Sequence, residues 1–411
     1  MNSNRYILSN ITGFNEILNG ETTNSDFLKL NIIQSRTSNK SAYKVLTYDK
    51  NMLSVDLIPS YGLCRSVIIN SKNNVVGFSP PKSIPCEQFI QKYNCDTPGV
   101  VFEQFVEGTM VNVFWDVSVG ETGGWEISTR NTVGATSKFY KNKHSKTFRE
   151  MFFEATYENN MQFTDLDKKY CYSFIVQHPE NRIVVPFKKP QLYLVAVYLI
   201  KNENDVIYVD SYDTQQFKEF FRSTTVMFPE NYTFNTYADL IETYASMNTR
   251  YDCVGVILHN KITGERSKIR NPVYEQVRNL RGNQPKLQYQ YLCLRKEGRV
   301  GEFLKFYPEN KPEFSDFRDR VHLFTNTLFS NYIACYVKKE MPLKEFSEQY
   351  RTHMFNLHQK FINELREKKL FITNTIVQKY VNELHPSLLM YCLNLQMRKR
   401  NIDTIVSESR I

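Results

Sequence analysis

Short apolar blocks, some alternating with polar positions and some continuous, recur between about residue 60 and residue 310. The apolar runs are rich in Val, Ile, Tyr and Phe and are separated by polar turns, which is typical of strands. We interpret ten segments in this way: 64–70, 74–80, 100–120 (two strand lengths), 125–130, 171–177, 182–187, 191–200, 205–212, 253–260 and 265–270. Helical spacing occurs between them at 145–157, 213–222 and 237–247. Short antiparallel-looking strands with intervening helices predict an α+β fold.

The strand pattern ends at the proline-containing segment 308–312. Beyond it, apolar residues recur at steps of three and four, as in Leu343, Phe346, Tyr350 and Met354. This spacing fits either a coiled-coil seam or one helix of a small bundle, and its short length favours the bundle. We therefore expect an N-terminal segment, 1–60, packing on the core, an α+β domain at 61–310, and an all-helical domain at 313–411.

Composition narrows the class of protein. The chain has 411 residues with 41% hydrophobic content, which is enough for two globular units with their own cores. It has no apolar run near the roughly 18 residues of a membrane helix, and no signal-peptide pattern at its start. The eight cysteines form no C-x-x-C pair, so zinc-ribbon spacing is absent. We expect no membrane association and a reducing, cytoplasmic location, in the host cytoplasm if the chain is viral.

Positive charge is concentrated in one stretch. The whole chain has 52 Lys and Arg against 43 Asp and Glu, a formal net charge of +9. From Lys261 to Lys305 there are 11 basic against 4 acidic residues. Such an excess fits a polyanionic partner, and it equally fits a solvated basic face.

Five short segments carry a recognisable chemistry in chain order. They read EQFVEGTM at 103–110, STRNTVGA at 128–135, SFIVQHPENRIV at 173–184, CVGVIL at 253–258 and SKIRNPVY at 267–274. This series resembles the motifs of the covalent nucleotidyltransferase superfamily, specifically phage-type RNA ligases and related proteins of large DNA viruses. The resemblance covers about residues 60 to 290 and implies a nucleotidyltransferase domain built of antiparallel sheets. It also implies a reaction in which a lysine amine attacks the α-phosphate of ATP or GTP.

The sequence departs from that family at three chemically decisive positions. Phe105 stands where the family has its nucleophilic lysine, and Ile175 and Val254 stand where it has metal-side glutamates. Removing a covalent nucleophile costs on the order of 10⁶ in rate, so the resemblance implies a fold without its reaction. Four residues of the family pattern remain, and we take them as nucleotide- or RNA-binding candidates: Glu107, Arg130, Lys268 and Arg270.

Two further residues have alternative interpretations. Lys82, in FSPPKSIP, corresponds to a lysine that the resemblance places near the nucleotide. It is a phosphate contact, a relocated nucleophile or an ordinary loop lysine. Phe105 either stacks on a base or belongs to the core. The basic candidates Arg130, Lys268 and Arg270 either neutralise phosphates or are solvated.

Three functional hypotheses follow. The first is a catalytically degenerate RNA ligase-like protein that binds RNA, a nucleotide or an RNA 5′ end through a basic cleft. The second is an active ligase or capping-type transferase that uses another lysine such as Lys82 and requires ATP or GTP with Mg²⁺. The third is a viral regulatory protein whose helical domain contacts a protein partner. The histidines lack metal-ligand spacing, so we predict no metal site of their own.

Overall fold

The computed structural model describes residues 4–20, 29–37, 41–139, 145–203 and 206–408, and side chains as far as residue 398. Contacts between Cα atoms divide the chain into two compact units, Met1–Asn279 and Leu280–Ile411. The division falls at 279/280, whereas the sequence pattern placed a boundary near residue 310. The α+β class and the helical C-terminal region are confirmed.

The first unit contains all the strands of the described residues. In chain order they are β1 Asn4–Ile7, β2 Leu30–Arg36, β3 Ala42–Tyr48, β4 Val67–Asn70, β5 Val75–Gly77, β6 Val100–Gln104, β7 Thr109–Asp116, β8 Gly124–Ser128, β9 Tyr170–Gln177, β10 Gln191–Glu203, β11 Val206–Tyr212, β12 Asn231–Tyr232, β13 Gly255–Asn260 and β14 Arg266–Arg270. Its helices are α1 Phe14–Asn19, α2 Cys86–Lys92, α3 Phe148–Glu158, α4 Tyr237–Tyr244 and α5 Pro272–Arg281, the last of which crosses the division.

Three antiparallel sheets organise these strands. A six-stranded sheet has the order β1-β11-β10-β9-β7-β8, and a four-stranded sheet has the order β12-β6-β13-β14. A second four-stranded sheet, β2-β3-β4-β5, is built largely from the N-terminal segment. That segment also supplies β1, which pairs with β11 through Asn4↔Ser211. The first 60 residues are therefore part of two sheets.

Buried aromatic residues join the layers. Tyr43 of β3 meets Phe114 of β7 edge to face, with ring centroids 6.1 Å apart, and this contact links two sheets. Phe152 of α3 packs on Phe174 of β9, with centroids 6.1 Å apart. Aromatic pairs of this kind add to the free energy gained by burying their area. They fix the position of β7 and β9, which carry part of the candidate site.

Side chains along β14 alternate between the hydrophobic core and the candidate site. Ile269 lies in a buried cluster with Phe102 of β6 and Val256 of β13. Because side chains of a strand alternate between its faces, Arg266, Lys268 and Arg270 share the opposite face. One face of this sheet is therefore apolar, and the other presents a row of cations.

Several predicted elements are confirmed. The polar residues 71–74 connect β4 to β5, and Gly120–Gly124 lies between β7 and β8 as a turn. The helix expected at 145–157 is α3, and Thr147 begins it with a capping box to Glu150. The helix expected at 237–247 is α4. The strand expected at 205–212 is β11, although residue 205 lies outside the described part.

Two predicted elements are wrong. The apolar run 182–187 is not a strand, because the Glu107 carboxylate accepts hydrogen bonds from the backbone N–H groups of Val184 and Val185. The segment 213–222 is not an α-helix. Its only helical part is the 3₁₀ turn Thr214–Phe217, which the Asp213 side chain caps. At 182–187 a side chain therefore takes backbone donors that a strand would have used.

The described residues of the second unit form helices joined by turns and short irregular segments, and none of them forms a strand. Its α-helices are α6 Leu287–Lys296, α7 Val300–Phe306, α8 Lys311–Tyr332, α9 Glu348–Lys360, α10 Asn374–Glu383 and α11 Pro386–Glu408. Two π-helical turns, Ile333–Val337 and Phe361–Leu365, follow α8 and α9. The periodic stretch 343–365 is therefore several elements. Among the described helices, none has the length and hydropathy required to cross a bilayer.

Candidate functional site

The segment 105–108 connects the two sheets that flank the site. It leaves β6 of the four-stranded sheet and enters β7 of the six-stranded sheet. Gly108 has φ +148°, and a Cβ there would lie 2.5 Å from the carbonyl oxygen of Val176 on β9. Only glycine permits so close an approach of the two backbones. The glycine of the first motif therefore brings this connection against β9.

Glu107 is buried inside this connection, with 5% of its surface exposed. Its Oε1 accepts hydrogen bonds from the backbone N–H groups of Val184 and Val185, each at 3.0 Å. Burial raises the pKa of the carboxyl above its ordinary value, and hydrogen bonds from this segment and from Tyr274 oppose the rise. Glu107 thus anchors the residues that follow β9.

Two positions that the motif resemblance aligns with glutamates are filled by packed apolar side chains. Ile175 is 8% exposed and shares a small buried cluster with Val106 and Tyr193. Val254 is also buried, and the following Gly255 has φ +126° with no room for a Cβ beside the carbonyl of Ile269. No group of three or more His, Cys, Asp or Glu side chains in the described part is placed to hold a metal ion.

Phe105, at the position of the family's lysine, is half-buried. The Arg270 guanidinium lies over its ring, 5.5 Å from the ring centroid, as a cation–π contact. Arg270 is also paired with Glu275, whose other oxygen lies 3.3 Å from Arg278. One face of the Phe105 ring is therefore covered by a cation that already has an acidic partner.

Lys268 occupies the centre of the charged face of β14. Burial is the main cause that lowers its pKa to about 8, and Arg270, Lys82, Arg65 and Arg266 lower it further in that order. Arg266 and Arg270 flank Lys268 on the same face of β14. Glu103 lies on β6, two strands away in the same sheet, and is held by Lys261 at 2.7 Å.

Residues from distant parts of the chain complete the group. Burial lowers the pKa of the Lys82 amine, and Arg65 and Arg130 lower it further. Burial likewise lowers the pKa of Arg65 to about 10, with a further contribution from Arg266. We define the cationic cluster as five basic side chains that these contributions and their placement connect: Arg65, Lys82, Arg130, Arg266 and Lys268. Arg65 and Arg130 line one cavity, Arg266 and Lys268 share a face of β14, and the N–H of Ile84, two residues after Lys82, donates to the carbonyl of Arg266 at 2.9 Å.

The cationic cluster lacks acidic partners among the described residues. In the parts of the chain that the structure describes, none of its five side chains forms an ion pair. The Nε atoms of Arg130 and Arg266 are buried, and no described residue forms a hydrogen bond with them. Buried charges without partners are costly unless a ligand of opposite charge compensates them. The arrangement is therefore suited to an anion.

A cavity of about 460 Å³ opens beside the cluster and is lined by Arg65 and Arg130. None of the described residues on its wall is Asp or Glu. The remaining polar side chains are hydroxyls and amides: Ser79, Thr109, Asn112, Thr129, Asn131, Thr132 and Ser137. A wall of cations and neutral hydrogen-bonding groups suits phosphate and ribose oxygens and offers no carboxylate to a metal ion.

The structure brings three of the six sequence candidates, Lys82, Arg130 and Lys268, into the cationic cluster. Arg270 and Phe105 lie beside it as a contact pair, and Glu107 faces the segment after β9. Sequence reasoning missed Arg65 and Arg266. Arg266 precedes Lys268 by two positions on the same strand, so the period-2 pattern contained its signal. Arg65 had no such signal.

Comparison with known proteins points in the same direction as the motifs. No protein-family model matches the chain. The chain is 25% identical over 289 residues to the RNA ligase of Rhodothermus phage RM378, a match that covers 62% of this chain and 64% of that protein. It is 23% identical over 238 residues to the immediate-early protein ICP-46 homolog of Invertebrate iridescent virus 6, covering 54% of this chain and 50% of that protein. The chain thus spans less than two thirds of either relative.

Two solved structures to which this chain is similar are RNA ligases. One form of an archaeal ATP-dependent RNA ligase has a TM-score of 0.39 at 12% identity, covering 69% of this chain and 71% of that chain. A lysine-to-alanine mutant of a Naegleria gruberi RNA ligase, solved with ATP and Mn, has a TM-score of 0.32 at 11% identity, covering 47% of this chain and 54% of that chain. Because these scores are low, the sequence matches carry the comparison. They confirm the resemblance to RNA ligases that the motifs predicted.

Proposed function

We propose that this RNA ligase-like chain binds the phosphorylated 5′ end of RNA, or a nucleotide, in the cationic cluster and does not transfer a nucleotide. The observation that carries the proposal is a cluster of five half-buried cations without acidic partners among the described residues, beside a cavity whose described wall has no carboxylate. Anionic phosphates would neutralise these cations, and they supply most of the affinity of nucleic-acid-binding proteins.

Three positions support the absence of transfer. Phe105 has no amine to attack a phosphate, and its ring is covered on one face by Arg270. Ile175 and Val254 are buried apolar side chains where a ligase has glutamates. Binding of this kind requires no metal cofactor, because protein cations neutralise the phosphates directly. The viral sources of the two relatives support a location in the host cytoplasm.

The test is salt-dependent binding of a 5′-phosphorylated oligoribonucleotide, followed by fluorescence anisotropy. We expect the variant Arg130→Gln with Lys268→Gln to bind more weakly. Its plot of log K against log[salt] should be shallower by about 1.4, since each single-strand phosphate contact contributes about 0.7. The control carries Lys72→Gln and Arg222→Gln, which remove two exposed cations. An unchanged slope in the first variant, or an equal loss in the control, would contradict the proposal.

A second candidate function is an active nucleotidyltransferase with a relocated lysine. The lowered pKa values of Lys82 and Lys268 favour it, because a lysine nucleophile must be neutral to attack a phosphate. This function would use ATP or GTP with Mg²⁺. Incubation with α-labelled ATP and, separately, α-labelled GTP would then leave an acid-labile label on the protein that is lost in Lys82→Ala or Lys268→Ala. An unlabelled protein under both conditions eliminates this candidate.

The role of the helical region in binding a protein partner stays a prediction. Exposed apolar side chains such as Leu323 and Phe371 lie on its surface. Nothing about them indicates which partner would cover them.

A further inference from the structure

A second cavity adjoins the first on the side of the N-terminal sheet. It has a volume of about 660 Å³ and is lined by residues of β2, of β3 and of the turn that follows β3. It shares Arg130 and Asn131 with the cavity beside the cationic cluster. Both volumes lie in the range typical of small-molecule sites, about 300–1,000 Å³. The two spaces are therefore neighbours separated by one short segment of chain.

Arg130 forms the partition between these two cavities. Its guanidinium lies on the ring of Tyr48, 5.0 Å from the centroid, and Tyr48 itself belongs to the wall of the second cavity. The Nε atom of Arg130 is buried and has no hydrogen-bond partner among the described residues. Stacking on a buried ring fixes the guanidinium in place while leaving its N–H groups to donate. A phosphate at this partition would meet a prepositioned donor.

The second cavity has a different chemistry from the first. Its wall carries the amides of Asn31, Asn51 and Asn131 and the hydroxyl of Thr47, with Ile32 and Ile33 beside them. Apart from Arg130, the only cation among the described residues of this wall is Lys50. Asp49, the one carboxylate that the described wall contains, accepts a hydrogen bond from the backbone N–H of Asn51 at 2.7 Å. Amides and hydroxyls suit base edges and a ribose 2′-hydroxyl, and isoleucines suit a base face.

We propose that the second cavity is a subsite for the second nucleotide of an RNA strand whose terminal, phosphorylated nucleotide occupies the first cavity. The linking phosphodiester lies at Arg130. This inference rests on the proposed function and narrows it, because it makes an oligonucleotide end, rather than a free nucleotide, the preferred ligand. Charge dominates the first site, where a terminal phosphate binds. Hydrogen bonding and packing dominate the second.

The test uses the full-length chain and a length series of RNA ligands, pA, pApA and pApApA, in isothermal titration calorimetry. We expect pApA to bind about tenfold more tightly than pA, equivalent to about 1.4 kcal/mol. The variant Asn31→Asp with Asn51→Asp places two negative charges in the second cavity without changing side-chain size. It should lose the tenfold gain and bind pA as the unmodified chain does.

The matched control is Gln34→Glu, which also adds negative charge. Gln34 is an exposed residue of β2 that lies outside the cavity wall. It should keep the full preference for pApA. Equal binding of pA and pApA by the unmodified chain would overturn the subsite while leaving the proposed function intact. So would a full tenfold gain in the double variant, or an equal loss in the control. Absence of binding to every ligand in the series would overturn the proposed function together with the subsite.

Discussion

Replacing Lys268 by methionine should stabilise the free protein, because the lysine charge is held in an unfavourable position. The methionine keeps an apolar stem of similar length and removes the ammonium group. In the folded protein Lys268 is mostly buried and lies among four other cations, and no acidic partner in the described residues compensates it. In the unfolded chain the same ammonium group is fully hydrated.

The magnitude follows from the pKa. The value of about 8 is about 2.5 below the ordinary value of 10.5. At about 1.36 kcal/mol for each pH unit, the folded state would be destabilised by at most about 3.4 kcal/mol. Solvent still reaches part of the side chain and screens its charge, so we expect Lys268→Met to raise the free energy of unfolding by about 1–2 kcal/mol at pH 7.

The stability advantage of the methionine variant should depend on pH in a definite direction. Below pH 8 the lysine is protonated in both the folded and the unfolded states, and the destabilisation is fully present. Between pH 8 and about 10.5 the folded protein releases the proton first, so the unfolded state binds more protons and the stability of the unmodified chain rises. The advantage of the methionine variant should therefore shrink across this range.

Urea denaturation at pH 7 and at pH 10, followed by tryptophan fluorescence, measures both quantities. Lys72→Met serves as control, because Lys72 is exposed in the turn between β4 and β5. We expect it to change the free energy of unfolding by less than about 0.5 kcal/mol at either pH. The reasoning is refuted if Lys268→Met is less stable than the unmodified chain at pH 7, or if its advantage is the same at both pH values.

Three other outcomes are expected. Glu107→Ala should lower the free energy of unfolding by about 2–4 kcal/mol in denaturant titrations, because two buried N–H groups lose their acceptor. Glu107→Gln keeps an acceptor oxygen and should retain most of the stability of the unmodified chain. RNA affinity should fall as the pH rises through about 8, since Lys268 loses its charge. Calorimetry near that pH, in buffers of different ionisation enthalpy, should detect proton uptake on binding. An RNA affinity that does not change with pH would argue against a role of Lys268 in binding. Phe105→Lys should not form a labelled adduct with ATP, because Ile175 and Val254 still stand where the motif resemblance expects glutamates. A labelled protein would show that a single amine at position 105 is sufficient for adduct formation.

Several features of the fold could be predicted from local patterns. Short runs of β-branched and aromatic residues identified β4, β7, β9 and β13, because these side chains pack well on an extended backbone. The same reasoning failed at 182–187, where the run is apolar enough for a strand. There the Glu107 carboxylate, remote in sequence, takes two of the backbone donors. Long-range hydrogen bonds of this kind leave no local signal.

The candidate site, like the fold, could be predicted from the sequence only in part. The resemblance of the motifs placed Phe105, Ile175 and Val254 at the three positions where the family has reactive side chains. The excess of charge between Lys261 and Lys305 was visible in the sequence, but its meaning was not. Part of that stretch belongs to the second unit, and Arg270 within it is paired with Glu275. A count of charges does not distinguish a paired cation from an unpaired one.

The sequence by itself determined which residues stand at the three positions that the motif resemblance marks as reactive and which strand carries a row of cations, because both depend on residue identity and on the alternation of side chains. Only the tertiary structure decided that Arg65, Lys82 and Arg130 join Lys268 in one group without acidic partners among the described residues. Their positions are far apart along the chain, and the distances between their charges are set by how three sheets pack. Burial is the main cause of the lowered pKa of Lys268, and electrostatic repulsion, which falls with distance, adds to it, so this pKa is a property of that packing.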